Sequence, residues 1–345
     1  MQPGLVTIRH KEMSMNTQQI DSVGRPGERR RAPRLGMGVC VLAPSILALQ
    51  SASAQNLFFG SVAYAGGQKD ALYTTDLDGN GLKNILPAPG MVSGVAADGA
   101  SKLVFWKDHI TGGKHGSYTM HVADFSGGSH AVIASWNSAG GNNYGVAADR
   151  VNKRVFWTDL NGVNSANYDG TGAIQVLASF NAEDVEVDPA AGKLFWVDGW
   201  GGASVTLNVA NLNGSSPQTL ATLPGGTVVS GLTVNPLTQT VLWSDYVAGT
   251  ISAIPYAGGA TTTVLSGHQF VSGLEFEVTT NRLYMVNKGN ASVSWIPPTG
   301  GVPTTVYVGS GGTLGEMWDI AAVVPAPGSL VLLVLTGLVS SRPRR

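Results

Sequence analysis

Three groups of residues in this chain are of types that could do chemistry. The first is a run of histidines, His109, His115 and His121, each six positions from the next. A step of six fits neither one face of a helix nor strand alternation, so the run does not read as a zinc site. The second is a set of carboxylates, Asp108, Asp159, Asp198 and Asp245, each two residues after a tryptophan: Trp106, Trp157, Trp196 and Trp243. A ring of carboxylates is one way to hold a divalent cation. Ligand sites, however, need convergence at one place, and an acid repeated at even spacing reads instead as a strand-end cap bonded to nearby backbone. No cofactor is expected from these residues, with a structural divalent cation left open. The third group is aromatic: Trp136, Tyr144, Trp200, Tyr246 and Phe270, with His109, Lys114, His115, His268 and Lys288 near them. Aromatic side chains with polar neighbours suit the binding of a protein segment or a carbohydrate. There is no Gly-x-Ser-x-Gly, His-Glu-x-x-His or phosphate-loop motif, and no catalytic set is assigned.

These residues must be positioned by a repeated unit. Gly145-Val146-Ala147-Ala148-Asp149 is followed by Val155-Phe156-Trp157-Thr158-Asp159, then by Val163 to Asn167, the turn Tyr168-Asp169-Gly170, and Ile174 to Leu177. That is four short strands with turns between them. Copies lie around Gly94 with Trp106, Val185 with Trp196, Gly231 with Trp243, and Gly273 with Tyr284. The third-turn glycines, Gly79, Gly127, Gly170, Gly214, Gly258 and Gly300, recur at steps in the forties, the period of four-stranded propeller blades. A first copy at Leu57–Ser61, Ala71–Thr75 and Lys83–Leu86 lacks its first strand, and a spare strand at Met317–Ala321 can supply it. The expected fold is therefore all-β: a six-bladed β-propeller, four antiparallel strands per blade, its ring closed by a C-terminal strand that completes the first blade.

Each strand type has its own demands. The first strands are small and apolar, as required where six sheets crowd an axis. The second strands carry the wide tryptophans that fill the space between splaying blades. Asp98, Asp149, Asp188 and Asn235 are turn residues, followed in two cases by Pro189 and Pro236. The loops after the second and fourth strands vary most, and variable loops on a rigid frame are where function tends to sit. The entrances of the first strands carry Gly94, Gly145, Gly231 and Gly273, with Glu183, Asp184 and Glu316 as exceptions. A hydrolase with a metal over the channel needs more acids and amides there, so support for it is thin.

Phe156-Trp157-Thr158-Asp159, followed by Ala166-Asn167-Tyr168-Asp169-Gly170, resembles the YWTD repeat, the class B repeat of low-density lipoprotein receptors, and so does Ala210-Asn211-Leu212-Asn213-Gly214. The resemblance covers roughly residues 57–322 and implies a six-bladed propeller. Ser61 and Asn287 stand where the motif has Asp. The receptors' Cys-rich modules have no counterpart here, so their ligands are not carried over.

The two ends point out of the cytoplasm. Arg29, Arg30, Arg31 and Arg34, an apolar run from Leu35 to Leu49, and Ala52-Ser53-Ala54 form a secretory signal layout after an extended leader, residues 1–54 in all. Residues 324–345 hold Pro325-Ala326-Pro327, an apolar stretch, and Arg342, Arg344 and Arg345. This tail resembles the bacterial PEP-CTERM sorting signal, with Ala326 in place of Glu. The resemblance implies a bacterial host, brief residence in the membrane and processing by an exosortase-like enzyme. The propeller itself is expected over residues 55–323. A formal net charge of −1 gives no electrostatic case for nucleic acid, and a single cysteine, Cys40, excludes an intramolecular disulfide. The expected function is an exported, non-catalytic propeller that binds a cell-surface or extracellular protein or polysaccharide through its variable-loop face. The alternatives are a metal-dependent propeller hydrolase or lactonase and a purely structural surface protein.

Overall fold

The chain is described by a computed structural model that covers residues 56–62, 70–87, 90–110, 116–138, 144–199, 203–309 and 316–323. The expected signal segment 1–54 and the sorting tail, with Pro325, Pro327, Arg342, Arg344 and Arg345, lie outside these residues, as do Lys114, His115 and Trp200.

Six four-stranded antiparallel sheets follow one another along the chain. The first contains β1 (Asn56–Val62), β2 (Ala71–Asp76) and β3 (Lys83–Pro87). The second contains β4 (Met91–Asp98), β5 (Leu103–Ile110), β6 (Gly116–Asp124) and β7 (Ala131–Ser138). The third runs through β8 (Val146–Asp149), β9 (Arg154–Asp159), β10 (Gly162–Asn167) and β11 (Ile174–Ala178). The fourth is β12 (Ala182–Asp188), β13 (Lys193–Asp198), β14 (Val205–Asn211) and β15 (Gln218–Leu223). The fifth is β16 (Val229–Asn235), β17 (Thr240–Asp245), β18 (Thr250–Pro255) and β19 (Thr262–Leu265). The sixth is β20 (Val271–Glu277), β21 (Arg282–Asn287), β22 (Ser292–Ile296) and β23 (Thr304–Val308). The last strand, β24 (Glu316–Ala322), pairs with β1 and completes the first blade, in the order β24-β1-β2-β3. The six-bladed, C-terminally closed propeller expected from the repeat is the observed fold.

The aromatic pair on each second strand explains how neighbouring blades adhere. Successive side chains on a strand point to opposite faces. Phe105, Phe156, Phe195, Leu242 and Tyr284 accordingly pack against the following blade, and Trp106, Trp157, Trp196, Trp243 and Met285 against the preceding one. Phe58 and Phe59 take the same two directions in the first blade. Each of the six seams thus has its own apolar cluster. Burying one such large ring contributes about 2–3 kcal/mol.

The third-turn glycines are needed for two reasons. All six have φ between 78° and 94°, where a side chain is strained. Most also lie against the fourth strand of the preceding blade. A Cβ on Gly214 would stand 2.2 Å from the Val176 carbonyl oxygen, and one on Gly79 would stand 2.1 Å from that of Val306. The glycine period is therefore also the period of blade-to-blade contact.

Candidate functional site

The second strands end, and the first strands begin, on one face of the ring. There the motif carboxylates have two local uses. Asp159 Oδ1 accepts the backbone N–H groups of Asn161 and Gly162, Asp245 Oδ1 those of Val247 and Ala248, and Asn287 Oδ1 those of Gly289 and Asn290. These close the turns after the second strands. Asp198 instead accepts the Trp196 indole N–H at 2.8 Å and the Asn208 amide at 3.1 Å. Asp108 faces His121. Most of these contacts lie within one blade; Asp198 is also hydrogen-bonded by Ser179, at the end of the third blade. Among the described residues, no group of three or more His, Cys, Asp or Glu side chains is placed to hold a metal ion.

On this same face, aromatic residues from several blades form a strip. Tyr144, just before β8, lies with its ring centroid 4.9 Å from that of Trp318 on β24. Lys288 Nζ sits 3.5 Å from the Trp318 ring centroid and 2.9 Å from Glu316 Oε2. A half-buried ammonium over an indole is worth about 0.5–2 kcal/mol. The Lys288 backbone N–H bonds the Phe270 carbonyl, and the Phe270 N–H bonds that of Tyr246. The Phe270 and Tyr246 rings meet edge to face at 5.2 Å. Phe270 is 43% exposed and has a φ of +70°, an unusual pairing of a bulky side chain with a left-handed backbone. Burial, and then Glu316, raise the pKa of Tyr246, so the phenol stays neutral across the physiological range.

The other expected residues are placed differently. Trp136, on β7, stacks between Tyr118 at 5.8 Å and Trp157 at 6.0 Å, and His109 stacks on Tyr118 at 5.2 Å. This ladder lies across the seam of the second and third blades, apart from the strip. Burial lowers the pKa of His109, with Lys107 adding to the effect. His268 is tied by its backbone N–H to Gly249. Trp106 pairs with His121 and His109 with Tyr118, and positions 106 and 109 lie on opposite faces of β5, so His109 and His121 point to opposite faces of the second blade.

The channel is more acidic than the sequence implied. Its cavity, of about 130 Å³, is lined by the inner strands and by the carboxyl groups of Asp184, Glu186, Glu275 and Asp319. The carboxyl pKa values are raised by burial, Asp184 to about 6 and Glu275 to about 7, and those of Glu186 and Asp319 also stand well above the usual carboxylate range. Arg150 lies 3.7 Å from Glu275 and donates from Nε to the Ala97 carbonyl. Lys107 is fully buried, donates to the Thr158 carbonyl at 3.2 Å, and has its pKa lowered by burial to about 7. The entrance glycines have a packing role: a Cβ on Gly94 would stand 2.0 Å from the Tyr144 carbonyl oxygen, and one on Gly273 2.7 Å from the Asp319 Cα. They let the inner strands converge.

Sequence reasoning passed over Glu186, Glu275 and Asp319 because they lie inside apolar strands rather than at their entrances. The available signal was alternation: Asp184 and Glu186, one residue apart, flank Val185 and share one side of β12. Trp318 lies in the strand expected to close the ring, and no sequence pattern places Lys288 or Glu316 beside it. Nothing local in the sequence brings residue 318 to residue 144; only the closed ring does.

Comparisons with known proteins agree with the architecture. No protein-family model matches the chain. It is 23% identical over 130 residues to protein cueball of Drosophila willistoni, a stretch that covers 36% of this chain and 20% of that protein. The matched stretch thus spans about a fifth of the relative's length. Among solved structures, a chain of a nidogen/laminin complex superposes with a TM-score of 0.65 at 20% identity, covering 79% of this chain and 99% of its own. TolB from Acinetobacter baumannii gives a TM-score of 0.62 at 13% identity, with 78% and 66% covered. At these identities the likeness is one of fold.

Proposed function

We propose that this chain is an exported, non-catalytic propeller of the YWTD type that binds an extracellular or cell-surface protein or polysaccharide through the face bearing Tyr144, Trp318, Lys288, Phe270 and Tyr246. The observation that carries the reading is Phe270, a large apolar ring left 43% exposed on a strained backbone among other aromatics. Strain of that kind persists only where surrounding structure enforces it, and it clusters at binding sites. Exposed Phe270 and half-buried Tyr246 and Trp318, beside a cation and a carboxylate, are also of the types that dominate recognition surfaces, with Tyr144 buried against Trp318. A similar propeller occurs in a structure of nidogen with laminin, in keeping with a protein partner. The basic–apolar–small N-terminal layout and the Pro-x-Pro, apolar, arginine-ended tail support export, transient membrane attachment and exosortase-like processing in a bacterial host.

One observation favours the hydrolase reading, namely the four channel carboxyls. Against it, they are not grouped to hold a metal ion, and the aromatic strip is left without a use. The test is a binding screen of the purified protein against glycans and extracellular polysaccharide and protein fractions of bacterial cells. Saturable binding weakened by Trp318→Ala is the expected result. Hydrolysis of esters or lactones without binding, or no binding in any fraction, would contradict the proposal.

A further inference from the structure

One cluster is used neither by the binding face nor by the seams. In blades three to six, the third-strand residue opposite the Trp or Met of the second strand is Asn164, Asn208, Ser252 or Ser294. In the second blade that position, opposite Trp106, is His121. Its Nδ1 lies 3.0 Å from Nε2 of His130, which precedes β7, and its Nε2 lies 3.3 Å from Asp108 Oδ2. The Trp106 ring stacks on both imidazoles, at 4.9 Å from His121 and 5.2 Å from His130. His121 is buried and His130 is exposed.

The chemistry of this trio is directional. A carboxylate beside Nε2 favours the tautomer with its proton there and leaves the Nδ1 lone pair facing His130. At 3.3 Å the two atoms are in contact without a hydrogen bond, close to the carboxylate–histidine arrangement that orients metal-ligating imidazoles. With metal–nitrogen bonds of about 2.0–2.1 Å, two nitrogens 3.0 Å apart subtend roughly 90–100° at a shared ion. A tetrahedral ion would spread them to roughly 3.3–3.4 Å. The near-right angle matches adjacent positions of a tetragonal site, the geometry of Cu²⁺ and Ni²⁺.

We infer that His121 Nδ1 and His130 Nε2 form a two-imidazole site for a tetragonal divalent transition ion, with Asp108 orienting His121 and water filling the remaining positions. The inference is independent of the proposed binding face. Binding exchanges the imidazole–imidazole hydrogen bond for two metal–nitrogen bonds as the His130 proton moves to Nδ1, so no net proton is released. The test is titration of the full chain with Cu²⁺ against a glycine competitor, followed by electron paramagnetic resonance. One equivalent with a tetragonal spectrum and two nitrogen couplings is expected, together with quenched tryptophan fluorescence. His130→Ala, at an exposed position, is expected to lower affinity at least ~10-fold with the fold intact by circular dichroism, the loss of the second ligand exceeding the lower bound for an outer-shell change. His121→Asn installs the residue type found in the third and fourth blades and should do the same, and Asp108→Asn should weaken binding about 10–100-fold. Unchanged Cu²⁺ affinity in His130→Ala, or no stoichiometric site in the wild type, would overturn the inference and leave the pair as a hydrogen bond only.

Discussion

At the scale of single residues, the same side-chain type is used in opposite ways according to what surrounds it. Asp159 and Asp245 close turns at the ring surface, whereas Asp184 and Glu275 line a cavity in which burial disfavours their charge. The channel acids have a measurable consequence. Their folded-state pKa values, about 6 and about 7, lie above ordinary carboxyl values. Between an ordinary carboxyl value, about 4, and these folded values, the unfolded chain releases protons that the folded chain keeps. Their contribution is therefore fully present at low pH and is lost as pH rises through the folded values. Denaturant midpoints measured from pH 4 to 8 should show that loss, and Glu275→Gln should reduce it, adding about 1–3 kcal/mol at pH 8. A variant with the wild-type profile would show that Glu275 is ionised throughout. Of the residues that matter here, the turn-closing Asp and Asn were legible in the sequence because they repeat. The channel acids and the His121–His130 pair were not, because each depends on neighbours that only the assembled blades provide.

At the scale of elements, the second strands could be read directly, since an aromatic pair followed two residues later by Asp needs two buried faces and a capped end. The first blade was legible too, although its second strand has Phe58-Phe59-Gly60-Ser61 in place of the motif. Phe58 and Phe59 still serve the two seams, so the packing requirement outlasts the motif. The closing strand carries the largest single consequence. β24 covers the inner edge of β1 and contributes Met317, Ile320 and Ala322 to one seam and Ala321 to another. A chain ending at Gly309 would expose that edge and uncover Phe58 and Phe59. Open edges and apolar seams promote association. Size-exclusion chromatography should show such a chain as aggregate, with loss of the cooperative thermal transition. A monodisperse monomer with unchanged Tm would mean that the ring does not depend on its C-terminal strand.

At the scale of the whole molecule, ring closure makes a surface that the linear sequence does not display. Tyr144 and Trp318 are far apart in the chain, yet their rings touch because the last strand returns to the first blade. The loops holding Phe270 and Tyr246 meet because two successive blades adjoin. The opposite face supplies its own control, Leu237, which is 60% exposed in the turn after β16. Replacing Phe270 by glycine relieves about 1–2 kcal/mol of backbone strain and removes an edge contact worth about 0.5–1.5 kcal/mol, so stability should hold to within about 1 kcal/mol. The decisive measurement is the affinity of wild type, Phe270→Gly and Leu237→Ser for the same immobilised cell-surface fraction. Phe270→Gly is expected to bind at least ~10-fold more weakly, a loss of about 1.4 kcal/mol, while Leu237→Ser binds as wild type does. Equal binding by all three, or a loss confined to Leu237→Ser, would contradict it.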